Sequence, residues 1–269
     1  MTDHKKLGNS TMKLGPTGHL DTFARDHLPP PEQWPELVLD GFDYPEWLNA
    51  GVELTDRMVE RGFGDHTALI GNGRRRTYKE LSDWTNRIAR ALTEDYGLKP
   101  GNRVLIRSAN NPAMVACWLA ATKAGAVVVN TMPMLRAGEL AKVIDKAEVS
   151  MALCDTRLMD ELVAVAKESQ FLKQVIGFDG TANHDAELDR AALDKPVKFD
   201  AAKTGRDDVA LLGFTSGSTG VPEATITAPP ITGDDLFAPR ASNPADLTRI
   251  AELEAAGRDA AEALGRAAE

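Results

Sequence analysis

The sequence has 269 residues, of which 43% are apolar and 26% are charged, a composition typical of a globular protein that is long enough to bury a sizeable core. Lysine and arginine total 31 against 40 acidic residues, so the formal charge at pH 7 is −9. This sign argues against a general nucleic-acid binder and against a protein that binds anionic membranes.

Cellular location is suggested by what the sequence lacks. The first residues are polar, and no apolar run approaches the roughly 18 residues of a membrane span, so we expect neither a signal peptide nor a transmembrane segment. Cys117 and Cys154 lie among apolar neighbours, as reduced core cysteines do. The five histidines have no metal-ligand spacing. We therefore expect a cytoplasmic protein without a metal cluster.

Residues 1–66 are predicted to form an N-terminal arm and a first helix. Residues 1 to 40 are rich in proline and polar groups, and we expect them to lie extended on a larger body, with Trp34 as an anchor. The first helix is expected over residues 49–61.

A strand over residues 67–71 is followed by a well-marked helix. Thr77 and Glu80 have the spacing of a capping box, and Gly97 with Pro100 ends the run. The apolar residues at helical spacing are Leu81, Trp84, Ile88 and Leu92.

Short apolar runs then alternate with amphipathic helices. A buried strand over 102–108 precedes a helix that Asn111 caps, with Pro112 in its first turn. The residues predicted to face inward from this helix are Val115, Trp118, Leu119 and Thr122. Strands over 126–130, 149–154 and 174–178 alternate with helices over 136–148 and 157–169. This order predicts an α/β fold with a parallel, helix-covered sheet over residues 67–180.

A loop of glycines and hydroxyl residues, from Thr215 to Gly220, follows a last strand over 209–214. Glycines allow backbone amides to turn inward and a phosphate to approach, and hydroxyls donate further hydrogen bonds. The alternative is a flexible Ser/Gly linker, but the loop is short and directly follows an apolar strand. No Walker-type loop, no G-x-G-x-x-G after a strand and no G-x-S-x-G elbow is present.

Three ordered stretches resemble the adenylate-forming (AMP-binding) acyl- and aryl-CoA synthetase family. They are "RTYKELSDWTNRIARAL", "KAGAVVVNTMPMLRAGEL" and "FTSGSTGVP". More narrowly, "DTFARDHLPPPEQWPEL" with "SANNPAMVACWLAATKAGAVVV" is similar to bacterial benzoate- and 2-aminobenzoate-CoA ligases. The resemblance covers about residues 15–226, and it implies that residues 67–226 form an incomplete N-terminal AMP-binding domain.

The resemblance implies a two-step reaction that uses ATP, Mg and CoA. An aromatic carboxylate is first adenylated, with release of pyrophosphate, and the CoA thiol then displaces AMP. The residues that would hold the β- and γ-phosphates are Thr215, Ser216, Gly217, Ser218, Thr219 and Gly220. Where the family pattern has a lysine after the proline, this sequence has Glu223. Its carboxylate would repel a triphosphate; the alternative is that it points outward and only the contact of the lysine is lost.

Residues 227–269 depart from the family. They form an Ala-rich, divergent tail, expected to be helical from 244, with no counterpart of the later family motifs. We therefore expect a truncated and inactive aryl-CoA ligase in which the strand over 209–214 exposes an unpaired apolar edge, the glycine loop is poorly ordered and the chain self-associates. The alternative is a non-catalytic binding or assembly module derived from such a ligase.

Overall fold

The computed structural model describes residues 14–34, 44–181, 183–215 and 223–227. Their strands are β1 (Thr67–Gly71), β2 (Arg74–Thr77), β3 (Arg103–Arg107), β4 (Val127–Thr131), β5 (Met151–Asp155), β6 (Gln174–Phe178), β7 (Leu211–Thr215) and β8 (Glu223–Thr227). Their α-helices are α1 (Phe23–Asp26), α2 (Ala50–Glu53), α3 (Asp56–Met58), α4 (Tyr78–Arg90), α5 (Pro112–Lys123), α6 (Ala137–Ala147), α7 (Met159–Glu168) and α8 (Glu187–Leu193). Short 3-10 turns (Pro31–Gln33, Thr156–Leu158) and π turns (Val59–Phe63, Ala91–Asp95) complete the helical segments.

The main sheet has the strand order β6-β5-β3-β4-β7-β8 within the described part of the chain. The first five strands are mutually parallel, and β8 pairs antiparallel with β7. Parallel strands need crossover connections, and the helices between them supply these. The predicted α/β fold with a mostly parallel, helix-flanked sheet is therefore confirmed.

Strands β1 and β2 form a separate antiparallel pair. The prediction that residues 67–71 belong to the parallel sheet is therefore wrong. The turn between the strands is Asn72-Gly73, with φ of 52° and 70°. Two successive residues with positive φ are typical of a tight hairpin, and this dipeptide is its strongest sequence signal.

Two apolar clusters cover the two faces of the sheet. One contains buried residues of α4, α5 and α8 against Val104 and Ile106 of β3. The other contains α6 and α7 against Leu105 of the same strand. Because successive side chains of a strand point to opposite faces, β3 contributes to both clusters and reads as a continuous apolar run.

The predicted helix starts are confirmed. The Thr77 hydroxyl accepts from the Glu80 amide at 3.2 Å, and the Glu80 carboxylate accepts from the Thr77 amide at 2.9 Å. Asn111 accepts from the Met114 amide at the start of α5. Of the four residues predicted to face inward from α5, Leu119 and Thr122 are buried, whereas Val115 and Trp118 are half-buried. The helix packs against the sheet on one side and against α4 and α2 on others, so residues on several of its faces are buried.

Three predictions about local structure are wrong. The helix expected over 49–61 is broken at Thr55, whose backbone is not helical (φ −133°, ψ −79°) and whose hydroxyl donates to Gly51 O. The polar stretch 180–204 contains α8, which was not predicted. Strand β7 is not an open edge, because it pairs with β4 on one side and β8 on the other. The reason given for self-association is thereby removed. The expected disorder of the loop and the helix from 244 fall outside the described residues.

The N-terminal arm lies along the edge of the sheet at which the parallel strands begin. The amides of Leu20 and Asp21 donate to Pro100 O, and Asp208 accepts from the Gly18 amide and from the Thr17 hydroxyl. The Trp34 indole donates to Pro29 O, a contact within the arm itself. Specific hydrogen bonds from residues 15–21 therefore dock the arm.

A buried ion pair connects three helices behind the sheet. The Lys123 side chain at the end of α5 is fully buried, and its Nζ lies 2.9 Å from Asp56 Oδ2 and donates to Asn86 Oδ1 at 2.6 Å. Burial lowers the pKa of Lys123, and Asp56 opposes this effect. The lysine of the "KAGA" stretch thus has a structural role, which links α5 to α3 and α4.

Replacing Asp56 by alanine should cost about 3 kcal/mol of unfolding free energy, because it leaves a buried ammonium without its counter-ion. Urea denaturation monitored by circular dichroism measures this cost. The matched control is Asp185→Ala, which removes an exposed ion pair with Arg190 and should cost less than about 1 kcal/mol. Equal losses in the two variants would contradict the structural role of the pair.

The stability of the docked arm should depend on pH through His19. Burial lowers the pKa of His19 from 6.5, although the nearby carboxylates of Asp208 and Asp21 oppose this effect and Arg25 adds to it. Below pH 6.5 the unfolded chain therefore takes up a proton that the folded chain does not. The unfolding free energy should fall between pH 7 and 5, by at most about 1.4 kcal/mol per pH unit from this group.

His19→Gln should flatten this dependence, whereas replacement of the exposed His27 by glutamine should leave it unchanged. Urea melts at half-unit pH steps provide the comparison. A His19→Gln variant with the wild-type slope would show that the imidazole does not carry the effect.

Candidate functional site

The path of the chain through the sheet reverses between β3 and β4. From β3 the chain passes through α5 to β4 on one side, and from β4 it passes through α6 back across β3 to β5 on the other. The two crossover helices therefore lie on opposite faces and leave a crevice at the carboxyl ends of the two strands. In open α/β sheets, ligands bind at such a switch point.

A cleft of about 810 Å³ occupies this position. Its walls come from the ends of β3, β4 and β7, from the first turn of α5 and from α6, and they are mainly apolar. The lining residues are Ile106, Ser108, Asn110, Met114, Asn130, Thr131, Met132, Pro133, Leu135, Glu139, Lys142, Val143, Gly213 and Phe214. The volume is in the range of small-molecule sites, which are mostly apolar with a few polar groups.

The predicted phosphate loop begins at the edge of this cleft. Thr215 ends β7, and the two preceding residues, Gly213 and Phe214, line the cleft. Thr215 is the backbone partner of Glu223, which starts β8, so both ends of the segment 216–222 are fixed in the sheet. The other five predicted phosphate ligands, residues 216–220, lie outside the described residues, and their role stays a prediction.

A polar network supports the wall of the cleft at Ser108. Nδ2 of the Asn111 side chain donates to Ser108 Oγ at 2.8 Å, and this hydroxyl lies 3.4 Å from Oδ2 of the buried Asp155. Burial raises the pKa of Asp155, but hydrogen bonds from Arg157 outweigh burial and lower it. A Cβ on Gly180 would lie 2.0 Å from Asp155 Oδ2, so only glycine allows this approach. Asp155 is therefore an ionised acceptor that fixes its neighbours.

The structurally described ranges contain no group of three metal-ligating side chains. They also contain no helix with both the length and the hydropathy needed to span a bilayer.

A crevice at the switch point of a mostly parallel, helix-flanked sheet defines an open α/β domain. Comparison with known families identifies it further. The AMP-binding enzyme family matches residues 57–226, well over half of the chain. The chain therefore belongs to this family.

The relatives include aromatic acid–CoA ligases. The chain is 28% identical over 183 residues to the 3-hydroxybenzoate–CoA/4-hydroxybenzoate–CoA ligase of Thauera aromatica, covering 67% of this chain and 35% of the relative. Among solved structures, an anthranilate CoA ligase in complex with anthranoyl-AMP superposes with a TM-score of 0.62 at 21% identity, covering 69% of this chain and 36% of that one. ATP-bound MatB from Rhodopseudomonas palustris superposes with a TM-score of 0.57 at 24% identity, covering 67% and 34%. The chain thus spans about a third of the length of its relatives.

The cleft itself was not predicted from the sequence. A signal was present in "VVVNTMP", in which polar Asn130 and Thr131 end an apolar strand, because side chains at the carboxyl ends of parallel strands converge at one edge. The run was interpreted as part of the alternating pattern and of a family motif, but its polar end was not interpreted as the wall of a site.

The two cysteines should be inert in the native chain. Both are free and buried, and burial raises the pKa of both thiols, that of Cys154 to about 12 although Arg107 opposes the shift. Because the thiolate is the reactive form, a disulfide reagent such as DTNB at pH 8 should modify less than about a tenth of the thiols in native protein. In 8 M urea both should react. Rapid reaction of one thiol in the native chain would contradict the buried positions.

Proposed function

We propose that this chain carries the phosphate-binding part of an ATP-dependent aryl-CoA ligase. In the proposed reaction, a carboxylate oxygen of an aromatic acid attacks the α-phosphorus of ATP, and the bond to pyrophosphate breaks. The thiol of CoA then attacks the acyl carbon of the adenylate, and AMP leaves. The observation that carries the proposal is the family match over residues 57–226, which includes the glycine loop after β7.

The position of the loop supports the assignment to phosphate. Its first residue, Thr215, ends a parallel strand, and the two residues before it line a cleft large enough for part of a nucleotide or an acyl group. Residues 215–220 would hold the β- and γ-phosphates, and Mg would offset the charge of the triphosphate. An aromatic acid is favoured because relatives in both comparisons are named for hydroxybenzoate and anthranilate. We place the protein in the cytoplasm, where ATP and CoA are found.

We propose further that adenylation is lost in this chain. Thr215 and Glu223 are paired across β7 and β8, and partners in an antiparallel pair have Cα atoms about 4.5–5.5 Å apart. Glu223 thus starts the strand whose backbone pairs with the first proposed phosphate ligand, and it stands where the family pattern has a lysine. A negative charge in place of a positive one next to the loop weakens the binding of a polyanion.

The test combines binding of Mg-ATP with pyrophosphate exchange. We expect no exchange above background with benzoate or 2-aminobenzoate, and only weak binding of Mg-ATP in equilibrium dialysis. Glu223→Lys should bind Mg-ATP about tenfold more tightly, because it replaces repulsion by attraction next to the loop. The control is Glu168→Lys, an equal change of charge at the exposed end of α7, which should leave binding unchanged within about twofold.

The outcomes separate the possible functions. Clear exchange by the wild-type chain would contradict the loss of adenylation but support the ligase. Absence of Mg-ATP binding in both the wild type and Glu223→Lys would contradict the phosphate role. That result would favour the alternative, a non-catalytic binding or assembly module, which needs no nucleotide.

A further inference from the structure

One wall of the cleft is a loop with few internal contacts. Residues 132–135 lie between β4 and Arg136, the N-cap of α6, and Met132, Pro133 and Leu135 line the cleft. Met132 and Met134 are 60% and 75% exposed, so they contribute little packing that would hold the loop in place. Within the loop, the Leu135 amide donates to Met132 O at a long 3.3 Å. Its conformation therefore depends on contacts from outside the loop.

Arg107 provides such contacts from beneath. It ends β3, is only 2% exposed and lies beside Thr131 of β4 and Cys154 of β5. Its Nη2 donates to Pro133 O at 2.8 Å and to Leu135 O at 2.7 Å. A single guanidinium nitrogen thus bridges two carbonyls of the loop and fixes its curvature.

This arrangement is unfavourable for stability. The Nε and Nη1 atoms of Arg107 are buried and have no partner in the part of the chain that the structure describes. Unpaired donors on a buried charge are costly, and an apolar residue of similar volume would avoid that cost. Arg103, at the other end of the same strand and on the same face, differs because all three of its nitrogens donate, to Ala147 O, Glu148 O, Gly101 O and Asp21.

We propose that Arg107 is a positioning residue of the cleft. It holds the 132–135 loop as the outer wall, and thereby sets the affinity of the cleft for the apolar, aromatic part of a small ligand. The aromatic class follows from the lining, in which Ile106, Met114 and Phe214 face the same space as the loop. The proposal concerns the shape of the cleft and does not depend on whether the chain adenylates an acid.

The test compares Arg107→Met with the matched variant Arg103→Met in the full chain. Two readouts are used: hydrogen exchange of the Leu135 amide by NMR, and fluorescence titration with the aromatic anion 8-anilinonaphthalene-1-sulfonate. Arg107→Met should speed Leu135 exchange at least about tenfold and change the dissociation constant of the dye about fivefold. Arg103→Met should leave both within about twofold. It should lower the urea midpoint more than Arg107→Met does, because it removes satisfied hydrogen bonds.

Each alternative result would overturn the proposal. Unchanged Leu135 exchange or unchanged dye affinity in Arg107→Met would show that the arginine does not hold the wall. Equal effects of the two variants would show a general loss of stability, as would an Arg107→Met chain that is less stable than Arg103→Met or does not fold. Arg107→Lys, which keeps a donor for the two carbonyls, should restore most of the protection at Leu135. A lysine variant as unprotected as the methionine variant would rule out a role for these hydrogen bonds.

Discussion

The burial of strand β3 is the constraint on which the rest of the described structure depends. The strand is hydrogen-bonded to β4 on one edge and β5 on the other, helices cover both faces, and all five of its residues are buried. Its terminal arginines are therefore buried with it, and a buried guanidinium must find acceptors. Arg103 finds them in the arm and at the end of α6, and Arg107 finds two in the loop after β4. The arginine at the start of β3 thus binds the arm and the end of α6, and the arginine at its end binds the loop after β4.

Sequence reasoning succeeded for this sheet because its strands are buried on both faces. A strand of that kind is a continuous apolar run, and the intervening helices carry clear periodicity and caps. Strand β2 was missed although its Asn72-Gly73 turn is a local signal, whereas helix α8 and strand β8 lack such signals. Helix α8 has only seven residues and depends on Leu188 and Ala192 packing against β6 and against α4, which is distant in sequence. Strand β8 follows the glycine loop and is defined by its pairing with β7. Tertiary contacts form these elements, and local pattern does not encode them.

The same distinction applies to the site. The glycine loop is a local motif, so its residues could be named from the sequence, and its first residue, Thr215, ends strand β7. The cleft is assembled from β3, β4, β7 and two helices, which meet only because the crossovers run in opposite directions. Lys123 shows that a residue in a family motif need not belong to the site. It lies in a stretch shared with the family, yet its ammonium pairs with Asp56 and donates to Asn86, and neither residue lines the cleft.

The pairing of Thr215 with Glu223 has a consequence for the energetics of any ligand that binds to the intervening segment. Closing a loop costs entropy that grows with the logarithm of its length. Here the two ends are brought together by β7 and β8, so this cost is met when the sheet forms and does not reduce the binding energy of the ligand. Substitutions in the segment can therefore change its side chains without changing how its ends are held. A single change of side-chain charge at its boundary can alter ligand preference while the pairing of β7 with β8 stays the same.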